Sequence, residues 1–455
     1  MIVVLVISVM IYLFIYYEGL PHWMTMEIFN IFNTVLYILI NVWYLRKYKT
    51  NNLFCFELLF ALSFWICCFY LHLVKKQLDF INLVFSQMLI FSDDLLCRSI
   101  VLCMLGYLFY MLGLIPLKSK KRYSIYRESS PAPTVNKILN CLTTIFIVLF
   151  FALGGGNFIN SYDRTVMMDE GRFGSFGFAL NYSILLLNIT CVSNLIFTNY
   201  EKGESVWHFV KKQDLLFIFN QLTMSLFLLL CGYRSGVMQI VLPIFAILSY
   251  KNILKKKQII LMILLGVVVM AFVGHLRSRV STITEISNEI SLIEFFRDFN
   301  SANSAVPALM EYVDCNGNAN FKNAILQILS VIPFLQSLAV DLLGQDFFME
   351  SSSRLYTYKI SNSYSGLGTN IIGDLYYTGG FWCVLALMLF LGSIIRKTSK
   401  STSVYGLLIY ACLVGNAVFF SRVEFFYIVK SCSLSVIIYW LINKLFPYRS
   451  YNKSL

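Results

Sequence analysis

The 455-residue chain is 58% hydrophobic and only 13% charged, with a mean hydropathy of +0.70 and a formal net charge of +12. Such a composition leaves too little polar surface for a set of water-solvated domains. The basic balance does not indicate a nucleic-acid binder either, because the positive residues are scattered over short connections with no binding fold to organise them.

A membrane span takes about 20 mostly apolar residues, and only a helix satisfies its own backbone over such a run. Twelve stretches qualify: 2–17, 26–45, 53–73, 95–115, 138–153, 174–198, 214–231, 236–250, 258–274, 370–394, 403–420 and 425–442. The first has no Lys or Arg before it and no small-residue cleavage site after it, so it reads as an anchor rather than a removable signal. The chain then divides into nine helices over 1–274, a large loop over 275–367, and three helices with a tail over 368–455.

Short cytoplasmic connections carry an excess of Lys and Arg. The basic tracts at 46–49, 118–137, 202–212, 251–257, 396–400 and 444–453 fall on alternate connections, and with the four acids on those connections (Glu128, Glu201, Glu204 and Asp214) their 22 Lys and Arg give +18. The remainder carries 14 basic against 20 acidic residues, or −6, so the net charge is topological and both termini are expected inside.

The loop over 275–367 is expected outside and is far longer than an ordinary connection. Ile286, Ile290, Ile293 and Phe296 recur at helical spacing, and the run Ala324 to Leu343 is more apolar but interrupted by Pro333. A spanning reading of 324–343 would turn the tract 396–400 outward against the charge bias, so a surface or re-entrant amphipathic helix is favoured. No internal repeat is visible, which counts against a secondary transporter.

Of the twelve cysteines, Cys67 and Cys68 are adjacent, no C-x-x-C occurs, and most lie within spans as small apolar residues; Cys315 is alone in the long loop. His22, His72, His208 and His275 form no helical ligand pair. No metal site and no cofactor are expected.

The charges expected at the outer face are mostly guanidinium groups: Arg98, Arg164, Arg172, Arg234, Arg277, Arg279, Arg354 and Arg422. Charges near the core cost at least ~2.5 to 3.5 kcal/mol at the bilayer centre, so they find an acidic partner, snorkel, or meet an anionic ligand. Glu57, midway along the third span, is either a buried partner of Arg98 or Lys430 or protonated. Arg234, with Tyr233 beside it, occupies the short turn Cys231-Gly-Tyr-Arg-Ser-Gly236 between two spans, where it has little freedom to swing away. A planar guanidinium fork suits phosphate oxygens.

The segment Ser365-Gly-Leu-Gly-Thr-Asn-Ile-Ile-Gly-Asp-Leu-Tyr-Tyr-Thr-Gly-Gly380, followed by an apolar span, resembles one typical of Wzy-type O-antigen polymerases. The turn at 232–236 is similar to that family's Arg-Gly turn, and Phe420-Ser-Arg-Val-Glu424 looks like its late Arg-containing turn; Asp374 stands where the family pattern often has Glu. The resemblance implies an all-α, polytopic membrane protein of about twelve transmembrane helices with a GT-C-like polymerase or ligase architecture and amphipathic helices in a large periplasmic loop. It further implies a glycosyltransferase of the bacterial inner membrane, and the lack of any His or carboxylate cluster with ligand spacing makes it expected to be metal-independent. This enzyme moves a growing glycan from undecaprenyl diphosphate onto a newly flipped, lipid-linked repeat unit, with membrane lipid around it and a chain-length-determining co-polymerase as partner. Arg234, Arg277 and Arg279 would hold the diphosphate, assisted by Arg422 or Arg354, and Asp374 or His275 would serve as base. An O-antigen ligase, or a flippase for the same lipid-linked oligosaccharide, shares much of this physics. Cysteine labelling of intact cells should find 118–137 and 251–257 inside and 280–360 outside; an inside location for 280–360 would overturn this orientation.

Overall fold

The computed structural model describes residues 2–48, 54–70, 91–116, 133–159, 173–198, 200, 205–251, 253–254, 257–266, 268, 292–331, 335–344, 349–362, 368–401 and 403–446. Among these residues all regular structure is helical. Six helices are long and apolar enough to cross a membrane: α2 (Met26–Tyr48), α4 (Asp93–Leu114), α5 (Pro133–Ala152), α6 (Phe173–Phe197), α15 (Ile371–Thr398) and α17 (Phe425–Leu445). Six shorter apolar helices accompany them: α1 (Ile2–Glu18), α3 (Phe56–Trp65, continuing as a π-turn to Tyr70), α8 (Leu215–Leu230), α9 (Arg234–Tyr250), α10 (Lys257–Gly266) and α16 (Val404–Asn416). These twelve coincide with the twelve apolar stretches of the sequence, and the protein is a polytopic helical membrane protein. A short helix, α7 (Val206–Lys211), links α6 to α8.

The hub is α4. Ser92 caps it, its hydroxyl accepting the Leu95 N–H at 3.3 Å, and Asp93 and Asp94 complement the positive helix end. Apolar on every side, α4 is buried almost all round, as a central helix must be. It meets α15 across a glycine seam. A Cβ on Gly113 would lie 2.3 Å from the Leu389 carbonyl oxygen, and one on Gly392 would lie 2.1 Å from the Tyr110 carbonyl oxygen. Small residues thus let the backbones touch where lipid supplies no hydrophobic drive between helices. Elsewhere side-chain amides do the joining: Asn140 on α5 donates to Asp214 at 3.0 Å and accepts from Asn194 of α6 at 3.2 Å, while Asn220 of α8 donates to the Asn140 carbonyl at 3.1 Å.

The tenth stretch is not one straight span. Gly379 and Gly380 have non-helical backbone angles, Gly380 with φ +75°. Ile372 Cδ1 and Val384 Cγ1 both come within 3.3 Å of the point where a Cβ on Gly106 would stand. Twelve residues of straight helix would separate those positions by about 18 Å. The half-helix 371–378 therefore folds back at the two glycines, and residues 381–398 form the long limb against α4. The break frees carbonyls that must be satisfied again. Ala319 N–H donates to the Tyr377 carbonyl at 2.7 Å and Phe321 N–H to that of Thr378 at 3.0 Å. Asn320 and Phe321 adopt positive φ values of 49° and 65°, a turn that aims the Ala319 and Phe321 amides at the broken end.

At the loop end of the bundle lie α11 (Leu292–Asn316), α12 (Lys322–Leu329), α13 (Leu335–Leu343) and α14 (Ser352–Arg354, continuing as a π-turn to Ile360). The run 324–343 is thus carried by two helices of eight and nine residues, neither long enough to span. Gly392→Val would drive methyl groups into the Tyr110 backbone, and overpacking of this kind costs ~1 to 3 kcal/mol. The thermal midpoint of the purified protein in detergent should fall, and an unchanged midpoint would contradict the close seam.

Candidate functional site

At the start of the half-helix, Asn370 caps the chain: its Oδ1 accepts the Ile372 N–H at 2.9 Å, and its Nδ2 donates to the Cys67 carbonyl at 3.2 Å. One turn on, Asp374 is fully buried. Its Oδ1 accepts from Ser352 Oγ at 2.7 Å and Asn323 Nδ2 at 3.2 Å, and its Oδ2 accepts the Phe425 N–H at 2.9 Å. Phe425 begins α17, so Asp374 caps that helix from a different one. The residue ahead of it, Glu424, is also buried but turns its side chain to the loop. Glu424 Oε1 accepts the Ser353 N–H at 3.1 Å and the hydroxyl of Ser351, with Ser352 Oγ at 3.4 Å, while Gln327 donates to Oε2. Two carboxylates linked through Ser352 therefore hold α12, α14, α15 and α17 together.

The same arrangement places two arginines. Arg422 precedes Glu424 by two residues on the 3₁₀ turn Phe420–Arg422, and its carbonyl accepts the Thr369 N–H at 3.4 Å beside Gly368. Arg354 follows Ser352 by two residues. Burial pushes the Arg354 guanidinium down to about 10, and the nearby Glu424 carboxylate opposes that shift. Arg354 stays cationic at neutral pH.

Arg234 is set by a helix ending. Tyr233 N–H donates to the Leu228 carbonyl at 2.9 Å and Gly232 N–H to that of Leu229 at 3.0 Å, the paired bonds of a Schellman motif with Gly232 at φ +70°. The Tyr233 ring lies where a side chain on Gly236 would be, 2.4 Å from that Cβ position. Arg234 then opens α9, a cation at the positive end of the helix dipole, where positive potential is concentrated. Gln239 donates to Asn416 Oδ1 at 2.9 Å, tying α9 to α16. Arg234 is five residues, ~7.5 Å of helix, before this tie, and Arg422 lies six residues beyond Asn416, so both stand at the loop end.

Arg422 and Arg354 thus each stand two residues from a group of the Asp374–Glu424 clamp, and Arg234 with Tyr233 lies toward the same end of the bundle on a neighbouring helix. His275, Arg277 and Arg279 lie outside the described residues. Arg98 pairs with Asp314 at 3.1 Å, a partner absent from the sequence reading, and Glu57 is buried with Tyr410 Oη donating to it at 3.4 Å. Sequence reasoning also missed Ser352, Asn323, Gln327 and the acceptor role of Glu424. A signal existed on α12: Asn323 and Gln327 recur one turn apart on the face opposite Ile325 and Ile328. Among the described residues no three His, Cys, Asp or Glu side chains are grouped as ligands of a metal ion.

Asp374→Asn should destabilise the loop end. An amide keeps one acceptor oxygen against three donors, so at least one donor faces an NH2 group, at ~1 to 3 kcal/mol. A lower thermal midpoint in detergent is the expected result, and a variant as stable as wild type would contradict the clamp.

The family model described as O-antigen polysaccharide polymerase Wzy matches residues 1–448. No curated protein and no solved structure matches the chain. The match spans nearly the whole length, and the chain belongs to the O-antigen polysaccharide polymerase Wzy family.

Proposed function

We propose that this polysaccharide polymerase acts at the periplasmic face of the inner membrane, moving a growing glycan from undecaprenyl diphosphate onto one lipid-linked repeat unit. The reading is supported by the Asp374–Glu424 clamp, with Arg354 and Arg422 each two residues from a clamped group and Arg234 opening a neighbouring helix at the same end of the bundle. In this reading the acceptor hydroxyl oxygen bonds to the anomeric carbon, and the bond from that carbon to the diphosphate oxygen breaks. The hydroxyl proton passes to a base, and undecaprenyl diphosphate leaves with the electron pair.

Charge develops on the leaving diphosphate, and fixed cations aimed at it lower the barrier. Arg234 offers a guanidinium fork together with the amides of a helix N-terminus. Arg422 and Arg354, held by Glu424 and its serines, supply the second side, and Arg277 and Arg279 are assigned to the same task. The base is Asp374 or His275. Asp374 has the nearer support, since Ser352 and Asn323 orient its carboxylate. The reading keeps a GT-C-like bundle, inward termini, no metal requirement and a chain-length-determining co-polymerase as partner.

Deletion of the gene followed by gel analysis of lipopolysaccharide tests the proposal. A polymerase loss leaves core bearing a single repeat unit, whereas loss of a ligase or a flippase leaves core bearing none. Complementation with Arg234→Lys tests the site: a point charge without the paired fork should lower the rate by about 10² to 10³ and fail to restore long ladders. Full ladders from a normally expressed variant would return Arg234 to a structural role.

A further inference from the structure

The loop end carries a cleft on the side of the half-helix away from Asp374. Where α1 ends and α4 begins, an open cleft of about 360 Å³ is lined by Tyr16, Tyr17, Glu18, Gly19, Asp94 and Arg98. Gly19, at φ +82°, closes α1 with its N–H on the Ile15 carbonyl at 3.0 Å, so Glu18 stands at the rim.

One wall of the cleft is formed by the rings of Tyr16 and Tyr17, which continue beyond the cleft into Phe381 and Trp382. The Tyr16 ring lies 4.7 Å from Phe381 and 5.3 Å from Tyr17, and Phe381 lies 5.2 Å from Trp382. Tyr17 and Trp382 remain 66% and 72% exposed, so the ledge presents ring surface outward. The other wall is charged, with an uneven balance. Arg98 is engaged by Asp314 at 3.1 Å and sits 5.6 Å from the Tyr16 ring centre. What the rim presents to a ligand is therefore the exposed carboxylates of Glu18 and Asp94.

This combination selects a ligand class. Carboxylates at the rim repel a phosphate or an anionic lipid headgroup. They accept hydrogen bonds from neighbouring hydroxyl groups, while flat rings offer apolar surface to the C–H face of a sugar. A neutral, polyhydroxylated chain uses both walls. The cleft is also mechanically joined to the centre described above: Asp314 accepts from Tyr376 Oη at 3.1 Å, and Tyr376 is two residues from Asp374 on the half-helix.

We infer that this cleft binds the glycan itself, as a subsite for saccharide units remote from the reacting sugar. The inference rests on the reading of the protein as a polysaccharide polymerase. Its test uses full-length protein in nanodiscs and, as probe, an oligosaccharide of two or three repeat units from the native polymer, freed of lipid and diphosphate. Binding is read by saturation-transfer NMR and calorimetry.

Wild-type protein should bind the probe with saturation of its C–H protons. Tyr17→Leu, which keeps apolar area but loses the flat ring, and the pair Glu18→Gln with Asp94→Asn should each weaken binding by about tenfold, and Tyr17→Trp should bind as wild type. In cells Tyr17→Leu should shift the polymer to shorter chains. Absence of wild-type binding, or equal binding by Tyr17→Leu, would overturn the subsite, and in that case reduced membrane retention of Tyr17→Leu would mark the rings as an interfacial belt. Because binding is read on purified protein without turnover, a normal ladder in the deletion strain would defeat the proposed function while leaving this measurement separate.

Discussion

Asp374 is a side chain that only accepts, enclosed by donors that come from three other places in the chain. In a low-dielectric surrounding, an unmet carboxylate is costly and a fully met one is rigid, so its donors are not interchangeable. Ser352 fixes where the loop returns, Asn323 fixes the height of α12, and the Phe425 amide fixes where the last helix begins. Glu424 repeats the device one residue earlier, with Gln327 and the first turn of α14. The orientation of the loop against the bundle follows from these two carboxylates. Arg354 and Arg422 inherit their positions from it, since each is only two residues from a clamped group.

The fold-back at Gly379 and Gly380 belongs to the same construction. Broken helices persist at membrane depth only when neighbouring groups take up the exposed backbone. Here Ala319 and Phe321 do so from the loop, in a turn whose positive φ angles are sustained by the two hydrogen bonds they make. The loop thus completes the backbone of the half-helix, and the half-helix carries Asp374 and Tyr376. The candidate reaction centre and the aromatic cleft are opposite sides of one short, externally satisfied helix.

The small helix α12 explains why this part of the chain is apolar without spanning. Its polar residues Asn323 and Gln327 point inward to the carboxylates, while Phe321, Ile325 and Ile328 are about half exposed on the other side. In water that inversion would be unfavourable. At a bilayer surface the apolar stripe is accommodated by lipid, and the polar stripe closes a hydrogen-bond network.

Much of the architecture is readable from the chain, because the bilayer enforces it. Any stretch of about 20 apolar residues must be helical, which made the twelve helices legible in one pass, the six shorter ones included. The turn at Arg234 was legible for a related reason: a Schellman ending needs a glycine at one position, and Gly232 is there. Other features depended on distance across the fold. Nothing local in Asp374 names Ser352, Asn323 or Phe425 as its donors, and nothing in Arg98 names Asp314, because such pairings are chosen by which helices pack together. The glycine pair at 379–380 reads along the chain as packing within one span. Only the closeness of both Ile372 and Val384 to Gly106 shows that the span is folded, since the sequence records where a helix can bend, and its neighbours decide whether it does.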